Sequence, residues 1–336
     1  MNEVASEPEV PSSPHELAKG VRSGSRRALA KAITLIESTR PGDLPLALAL
    51  LEELHLAAGG SLRIGLTGAP GVGKSTLVEA LGLHVVGCGH KPAVLAVDPS
   101  SVVSGGSVLG DKTRMEKLSR TETAFVRPSP SAGARGGVTA RTPDAIEACE
   151  AAGYDVVIVE TVGVGQAETE VAGMTDVFVL LEPPFAGDGL QAIKRGSTEL
   201  ADIIAFAKAD LDAVAASAAC ERMNDALNLL RPVSSAWRPR AMTVSALTGQ
   251  GVAELWSELE HFQEALTAVG AIEARRQRQS IKHMWRLIDA GLRSRFLGDS
   301  AVRERLKAME EAVARGDMVP STAANELFLL AARRAK

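Results

Sequence analysis

Residues 63–76 read Arg-Ile-Gly-Leu-Thr-Gly-Ala-Pro-Gly-Val-Gly-Lys-Ser-Thr. Residues 64–67 form a short apolar run typical of a buried strand, and apolar residues at helical spacing follow Thr76. Between them, residues 68–75 fill every fixed position of the phosphate-binding pattern G-x-x-x-x-G-K-[ST]. The glycines allow positive φ angles, so backbone N–H groups can turn inward around a phosphate. The stretch therefore predicts a strand, a phosphate-binding loop and a helix in succession.

The positions of this loop have distinct expected roles. Lys74 supplies a positive charge to the β- and γ-phosphates of a nucleotide, and the Ser75 hydroxyl can hold Mg²⁺. The helix that follows directs its positive end at the same anion. A glycine-rich turn that only resembles the pattern is the alternative, but the preceding strand and following helix favour the loop. The residues expected to bind the phosphates are Gly68, Ala69, Pro70, Gly71, Val72, Gly73, Lys74, Ser75 and Thr76.

The overall composition disfavours several classes of protein. The 336 residues carry 37 Lys and Arg against 41 Asp and Glu, and aromatic residues make up only 3%. This balance disfavours a nucleic-acid binder that works through bulk charge or base stacking. Cys88, Cys149 and Cys220 form no C-x-x-C pair, so we expect buried thiols in a reducing compartment. No signal peptide or membrane-spanning stretch is evident, and we expect a cytoplasmic protein without a membrane partner.

Seven apolar runs alternate with helical stretches from residue 63 onward. Because most runs are continuous rather than alternating, they are typical of strands buried on both faces. The pattern predicts an α/β fold: a P-loop NTPase with a mostly parallel, doubly wound sheet. The expected strands are 64–67, 93–98, 124–127, 156–160, 177–181, 203–207 and 241–244, and the expected helices between them include 76–86, 143–152, 189–201 and 212–230.

The flanking regions predict further parts of the chain. We expect a disordered tail over 1–14, an N-terminal helical appendage over 15–60, a P-loop domain over 61–265 and a C-terminal helical arm over 266–336. In the arm, Ile281, Trp285, Ile288, Leu292 and Phe296 recur at helical spacing. Such helices either fold back on the sheet or pack against another subunit, and the second interpretation is favoured. The basic run at 275–278 is expected to be a solvated helix face.

Acidic residues lie at or just after the carboxyl ends of three predicted strands: Asp98, Glu160 and Asp210. Glu160 ends an apolar strand and precedes Gly163, whose N–H can meet the γ-phosphate. Asp98 and Asp111 lie on a Gly/Ser-rich segment suited to a mobile loop, although an ordinary polar loop also collects acids. We expect Lys74, Asp98, Asp111 and Glu160 to be catalytic. The expected metal ligands are Ser75, Asp98, Asp111 and Glu160.

A second set of residues indicates which base is bound. Residues 206–210 read Phe-Ala-Lys-Ala-Asp, where G proteins carry Asn-Lys-x-Asp. Asp210 can accept hydrogen bonds from guanine N1–H and its exocyclic amine, and Lys208 can lie along the base and the phosphate loop. Ser245, Ala246 and Leu247 fit the loop whose backbone N–H meets guanine O6. Together they favour GTP and GDP over ATP, although Ala207 stands where the motif has Asn.

The chain resembles the MeaB/ArgK/MMAA family over roughly residues 20–330. The most specific parts of the resemblance are residues 97–101 (Val-Asp-Pro-Ser-Ser), 105–115 (Gly-Gly-Ser-Val-Leu-Gly-Asp-Lys-Thr-Arg-Met), 127–130 (Arg-Pro-Ser-Pro) and 159–166 (Val-Glu-Thr-Val-Gly-Val-Gly-Gln). The resemblance implies a GTPase that binds GTP and Mg²⁺ and hydrolyses GTP slowly without its partner. It also implies a chaperone that gates cofactor loading and protects or reactivates a cobalamin-dependent acyl-CoA mutase, and a homodimer held by C-terminal helices.

The departures from the family pattern leave other hypotheses open. Residues 181–196 correspond to a partner-sensing switch, and this stretch is altered at Phe185 and Gly189. Residues 131–137 differ at Ala132 and Arg135. Altered switches around a retained phosphate site suggest a paralogue that serves a different mutase. The alternatives are a nucleotide-dependent scaffold with little turnover, and a transport-linked kinase as an older label of the family implies.

Overall fold

The computed structural model describes residues 13–40, 42–97, 115–127, 137–161, 167–184, 196–229 and 236–332. In these ranges, seven strands form one sheet in the order β3-β2-β4-β1-β5-β6-β7, and every pair is parallel. The strands are β1 (Leu62–Gly68), β2 (Pro92–Val97), β3 (Phe125–Arg127), β4 (Val156–Thr161), β5 (Val177–Glu182), β6 (Ile203–Phe206) and β7 (Arg240–Thr243). All seven expected strands are present, and the prediction of a doubly wound parallel sheet is confirmed.

Helices precede, separate and follow these strands. The N-terminal helices are α1 (Pro14–Arg22), α2 (Arg26–Ile36) and α3 (Leu44–His55). Between the strands lie α4 (Lys74–Gly87), α5 (Glu116–Arg120), α6 (Gly137–Ala151), α7 (Ala167–Ala172), α8 (Gly196–Leu200) and α9 (Ala213–Leu229). The C-terminal helices are α10 (Val252–Thr267), α11 (Ala271–Gly298), α12 (Ser300–Ala314) and α13 (Pro320–Ala332). Along the described ranges, no helix is both long enough and apolar enough to cross a bilayer.

The sheet is covered on both faces, which explains its continuous apolar strands. In β4, Val156 and Ile158 join a core with α4 and α10 on one face. Val157 and Val159 join a core with α2, α6 and α9 on the other face. Because successive side chains of a strand point to opposite faces, a strand buried on both sides needs apolar residues throughout.

The N-terminal helices form an outer layer of the same compact unit. They share a core with α6 and the sheet. Helix α1 begins within the expected tail, because the Ser13 hydroxyl accepts a hydrogen bond from the Glu16 N–H at 3.2 Å and Pro14 takes the first helical position. The expected tail over 1–14 is therefore wrong for its last two residues, and residues 1–12 lie outside the described ranges.

The chain divides into two compact units, one ending at Gln279 and the other beginning at Ser280. The boundary between the two units falls within α11. The expected division into a P-loop domain over 61–265 and a C-terminal arm over 266–336 stays a prediction. In the second unit, Val302, Met309, Ala323 and Leu327 form a small core between α12 and α13. Along α11, the apolar side chains of the expected stripe are largely exposed, at 57% for Trp285.

The basic run at 275–278 is not simply a solvated face, so this expectation is wrong for two of its residues. Arg276 forms an ion pair with Asp176, whose side chain is fully buried, and its Nε donates to Asp176 Oδ1 at 2.8 Å. Arg275 pairs with Asp202 at 3.0 Å. Burial raises the pKa of Asp202 even though Arg275 lies beside it. Only Gln277 and Arg278 are exposed.

A third ion pair ties the start of β1 to α6. Arg63 donates to both carboxylate oxygens of Glu150 at 2.8 Å, and the Ser61 hydroxyl donates to Oε1 at 2.6 Å. Burial by itself would raise the pKa of Glu150. The hydrogen bonds and positive charge of Arg63 outweigh this effect, so the pKa of the carboxyl lies below its usual value.

We expect Glu150→Gln to lower the free energy of unfolding at pH 7 by about 1–3 kcal/mol, because Arg63 loses a charged acceptor. A depressed folded-state pKa stabilises the protein above the unfolded-state pKa, near 4.5, and this contribution is lost as pH falls through the folded value. The difference between wild type and variant should therefore shrink in urea titrations below pH 4.5. The exposed Glu52→Gln is the control. A difference that stays constant down to pH 3 would contradict this account.

Candidate functional site

The loop after β1 has the backbone geometry that surrounds a phosphate. Gly71 and Gly73 have φ angles of 77° and 106°, a left-handed conformation that side chains disfavour, and α4 begins directly after Gly73. At Gly68, a Cβ atom would lie 2.4 Å from the carbonyl oxygen of Leu181. Glycine is therefore required there because β5 passes so close to the end of β1.

Lys74 lies across the mouth of this loop. Its side chain is buried, and Nζ donates to the carbonyl oxygens of Gly68 at 2.7 Å and Ala69 at 3.2 Å. The ammonium group is thus held where the phosphates of a nucleotide would lie. Val72 packs into the core, whereas Pro70 and Thr76 are exposed at the surface of the loop.

Ser75 and Glu160 meet at the end of the neighbouring strands. The Ser75 hydroxyl donates to Glu160 Oε1 at 2.7 Å, and Glu160 is 2% exposed. The pairing of β1 with β4 places Leu66 opposite Glu160, which brings the carboxylate beside the loop. A hydroxyl and a carboxylate oxygen at one point fit Mg²⁺, which prefers oxygen ligands. These two residues can therefore hold the metal ion that the sequence predicts.

Three other expected residues of this site, Asp98, Asp111 and Gly163, lie outside the described residues. Within the described ranges, no group of three or more His, Cys, Asp or Glu side chains is placed to hold a metal ion. Sequence reasoning missed the contact between the hydroxyls of Thr67 and Thr161, 2.8 Å apart, which joins the ends of β1 and β4. Their positions at two neighbouring strand ends were the available signal.

The residues expected to read the base lie together beside the loop. Lys208 has a positive φ of 58°, and its Nζ donates to the Gly71 carbonyl oxygen at 2.7 Å. The buried Ser245 donates its hydroxyl hydrogen to Asp210 Oδ1. Leu247 is 82% exposed, and Ala246 is partly buried. The segments expected to read the base are therefore joined to each other and to the phosphate loop.

Ala207 occupies an apolar environment at the end of β6. Its side chain is buried in the core that also contains Val72 and Val244. Its backbone N–H donates to the Glu182 carbonyl oxygen at 2.9 Å, which holds β6 against β5. The loop is thus braced through its backbone and through Lys208, with only a methyl group where the motif has a carboxamide.

A cavity of about 380 Å³ adjoins the phosphate loop. Its walls come from the loop, α7, the end of β5 and the start of α8. The lining residues are Gly68, Ala69, Glu168, Thr169, Leu180, Glu182, Gly196 and Ser197. Glu182 is buried at the end of β5, and the sequence indicated it only as part of the partner-sensing segment. The altered positions Phe185 and Gly189 of that segment, like Ala132 and Arg135, lie outside the described residues.

All three cysteines are free thiols. Cys149 is fully buried, and burial raises its pKa well above the usual range, so it stays protonated and unreactive. Burial also raises the pKa of Cys220, which is partly buried. Cys88 is exposed, so the expectation of a buried thiol is wrong at this position.

The parallel sheet, the strand–loop–helix with Lys74 and Ser75, and the carboxylate of Glu160 define a P-loop nucleotide-binding protein. The family model described as methylmalonyl Co-A mutase-associated GTPase MeaB matches residues 29–301. The chain belongs to the MeaB family of GTPases.

Individual relatives agree with this assignment. The chain is 49% identical to the GTPase ArgK of Escherichia coli over 268 residues, covering 80% of this chain and 81% of that protein. It is 45% identical to the mitochondrial methylmalonic aciduria type A homolog of Mus musculus, covering 93% and 78% of the two chains. The crystal structure of an LAO/AO transport system kinase is similar, with a TM-score of 0.73 and 36% identity over 96% of this chain and 98% of that one.

We expect Ser75→Ala to remove most of the effect of Mg²⁺ on GTP affinity, because the variant loses a hydroxyl ligand. GTP binding in the wild type should tighten when Mg²⁺ is added, and about 1.5–3 kcal/mol of that gain should disappear in the variant. Titration calorimetry with and without Mg²⁺ measures both quantities, and the exposed Ser217→Ala is the matched control. An unchanged Mg²⁺ effect in Ser75→Ala would remove this residue from the metal site.

We expect Ala207→Asn to tighten GDP and GTP together by about 1–2 kcal/mol, the scale of one or two buried hydrogen bonds. The carboxamide would brace the base loop and contact the base, as the motif of G proteins does. Titration calorimetry with GDP and GTP is the measurement. An unchanged affinity, in a variant that melts like the wild type, would mean that other contacts have taken over the role.

Proposed function

We propose that this protein is a GTP-hydrolysing chaperone that gates cofactor loading and protects or reactivates a cobalamin-dependent acyl-CoA mutase. The observation that carries the proposal is the joining of Lys74, Ser75 and Glu160 in one phosphate site, within a chain of the MeaB family. The family model is named for association with methylmalonyl-CoA mutase, and the mouse relative is named for methylmalonic aciduria. The family name supports an acyl-CoA mutase as the partner.

The proposed site binds GTP or GDP together with Mg²⁺. Ser75 and Glu160 would hold the ion from the described part of the site, and Asp98 and Asp111 are its proposed further ligands. Bound Mg²⁺ supplies charge neutralisation at the phosphate oxygens. Lys74 supplies a second positive charge inside the loop, and the N–H of Gly163 is a proposed donor to the γ-phosphate. The acidic residues would orient the attacking water.

Guanine is the proposed base because of the contact between Asp210 and Ser245. The Ser245 hydroxyl donates to one oxygen of Asp210, which orients the carboxylate and leaves it able to accept from guanine N1–H and the exocyclic amine. Adenine offers no such pair of donors at these positions. The contact of Lys208 with Gly71 keeps this base site at a fixed distance from the phosphates.

The proposed assembly is a homodimer held by C-terminal helices. Along α11, Ile281, Trp285 and Leu292 are 57–61% exposed. An apolar stripe of this kind is typical of a surface that another chain covers. The three free thiols support a reducing compartment, and we propose the cytoplasm as the location. The proposal includes no nucleic acid or membrane partner.

A nucleotide-dependent scaffold with little turnover is the second candidate. The observation that favours it is Ala207, which offers the base loop no carboxamide.

A transport-linked kinase is the remaining alternative, because the similar crystal structure is that of a protein named as a transport-system kinase. The geometry of Asp210 and Ser245 favours guanine over adenine, however, and so disfavours an ATP-dependent kinase.

Addition of the cognate acyl-CoA mutase should accelerate GTP turnover by the full chain by about tenfold or more, the scale of partner effects on allosteric enzymes. Phosphate release is measured with purified candidate mutases, and Lys74→Ala with the same mutase gives the background.

Single-turnover phosphate release separates the GTPase chaperone from the scaffold, because a scaffold would retain intact GTP for hours. Intact GTP would refute the GTPase role, and a lack of complex formation with every mutase would refute the chaperone role.

A further inference from the structure

The first two and a half turns of α11, residues 271–279, hold the end of α7, the short helix that follows residues 162–166. Gln279 Nε2 donates to the Thr175 carbonyl oxygen at 2.8 Å and to that of Ala172, the last residue of α7, at 3.4 Å. Arg275 donates to the Asp176 carbonyl oxygen, and Arg276 pairs with the Asp176 carboxylate. We refer to Arg275, Arg276 and Gln279 as the α11 clamp.

The contacts of the clamp satisfy groups that would otherwise be costly to bury. The last carbonyl groups of a helix have no partner within the helix, and Gln279 supplies one to Ala172. The Asp176 carboxylate has no exposure to solvent, and Arg276 balances its charge. Each of the three clamp residues thus bonds to the four-residue turn between α7 and β5, within the first compact unit.

The other side of α7 is fixed against the strand that carries the phosphate loop. At Gly65, a Cβ atom would lie 2.6 Å from Thr175 Oγ1 and 2.7 Å from Val171 Cγ1. Glycine is therefore needed for α7 to lie so close to β1, three residues before the phosphate loop begins. The end of α7 is held between β1 and α11 and cannot shift toward the sheet.

We infer that Gln279 and Arg275 are positioning residues for the GTPase cycle, and that they couple the segment after β4 to helix α11. This inference rests on the proposed function, because it assigns the segment containing Gly163 to the γ-phosphate. If the start of α7 moves, the helix either rotates about its clamped end or moves the contacting residues of α11 with it. Helix α11 is continuous from Ala271 to Gly298, so residues 280–298, which carry the exposed apolar stripe, follow the clamp residues in the same helix.

Substitutions of Gln279 can test this coupling, because its side chain makes both contacts through one donor group. Its Nε2 makes both contacts, whereas its buried Oε1 has no hydrogen-bond partner among the described residues. Gln279→Met keeps the length of the side chain and removes the donor, and Gln279→Lys restores a donor of similar reach. Gln277→Met, an exposed position on the same helix, is the matched control.

The first measurement is single-turnover GTP hydrolysis by the full chain with saturating Mg²⁺. We expect Gln279→Met to slow hydrolysis by roughly two- to thirtyfold, the range seen for residues that modulate coupling, with GDP affinity unchanged. Gln279→Lys should recover most of the rate, and Gln277→Met should match the wild type. If Gln279→Met hydrolyses GTP at the same rate as the wild type and the other two variants, the positioning role is overturned.

The second measurement is hydrogen–deuterium exchange of amides 280–298 with GDP and with a non-hydrolysable GTP analogue. A residue with a merely structural role would change exchange equally in both nucleotide states. We expect exchange in the wild type to differ between the two nucleotides and this difference to disappear in Gln279→Met. A difference retained in the variant, or absent from the wild type, would overturn the coupling. Because this measurement needs only nucleotide binding, it decides the inference even if the wild type proves unable to hydrolyse GTP.

Discussion

The nucleotide site depends on how closely β5 approaches the last residue of β1. A side chain at Gly68 would collide with the Leu181 carbonyl group, so only glycine lets the two strands stay paired up to the point where the phosphate loop begins. On its other side, β1 pairs with β4, which brings Glu160 to the Ser75 hydroxyl. The position of β1 between these two neighbours thus sets both where the phosphate loop begins and where the Glu160 carboxylate lies.

Buried charges organise the opposite ends of the strands. Asp176 precedes β5 and Asp202 precedes β6, and both carboxylates pair with arginines of α11. A buried carboxylate without a partner is strongly destabilising, so these pairs fix α11 to the sheet. The carboxyl ends of the strands carry the nucleotide chemistry, while the amino ends anchor the helix that leads into the second unit.

The sequence predicted the sheet well because its strands are continuous apolar runs between helical stretches. It misplaced the start of α1, because Ser13 and Pro14 were included in the tail although they are a typical helix start. It also assigned Arg275 and Arg276 to a solvated face. A run of basic residues gives no local sign of its partners, and Asp176 lies 100 residues from Arg276 in the chain. For the site, Lys74 and Ser75 were readable from one motif, whereas the contact of Lys208 with Gly71 spans 137 residues and was indicated only by likeness to G proteins.

The amino-acid sequence was sufficient to identify the phosphate loop, the strand and helix that flank it, and the family to which the chain belongs. These features are local, because glycine conformations, strand burial and helix starts depend on residues a few positions apart. The folded chain was needed to show which strand ends meet, that Ser245 donates to Asp210, and that α11 contacts the end of α7. Those contacts join segments far apart in the chain, and they form because a buried polar group must find its partner wherever the packed helices and sheet bring one.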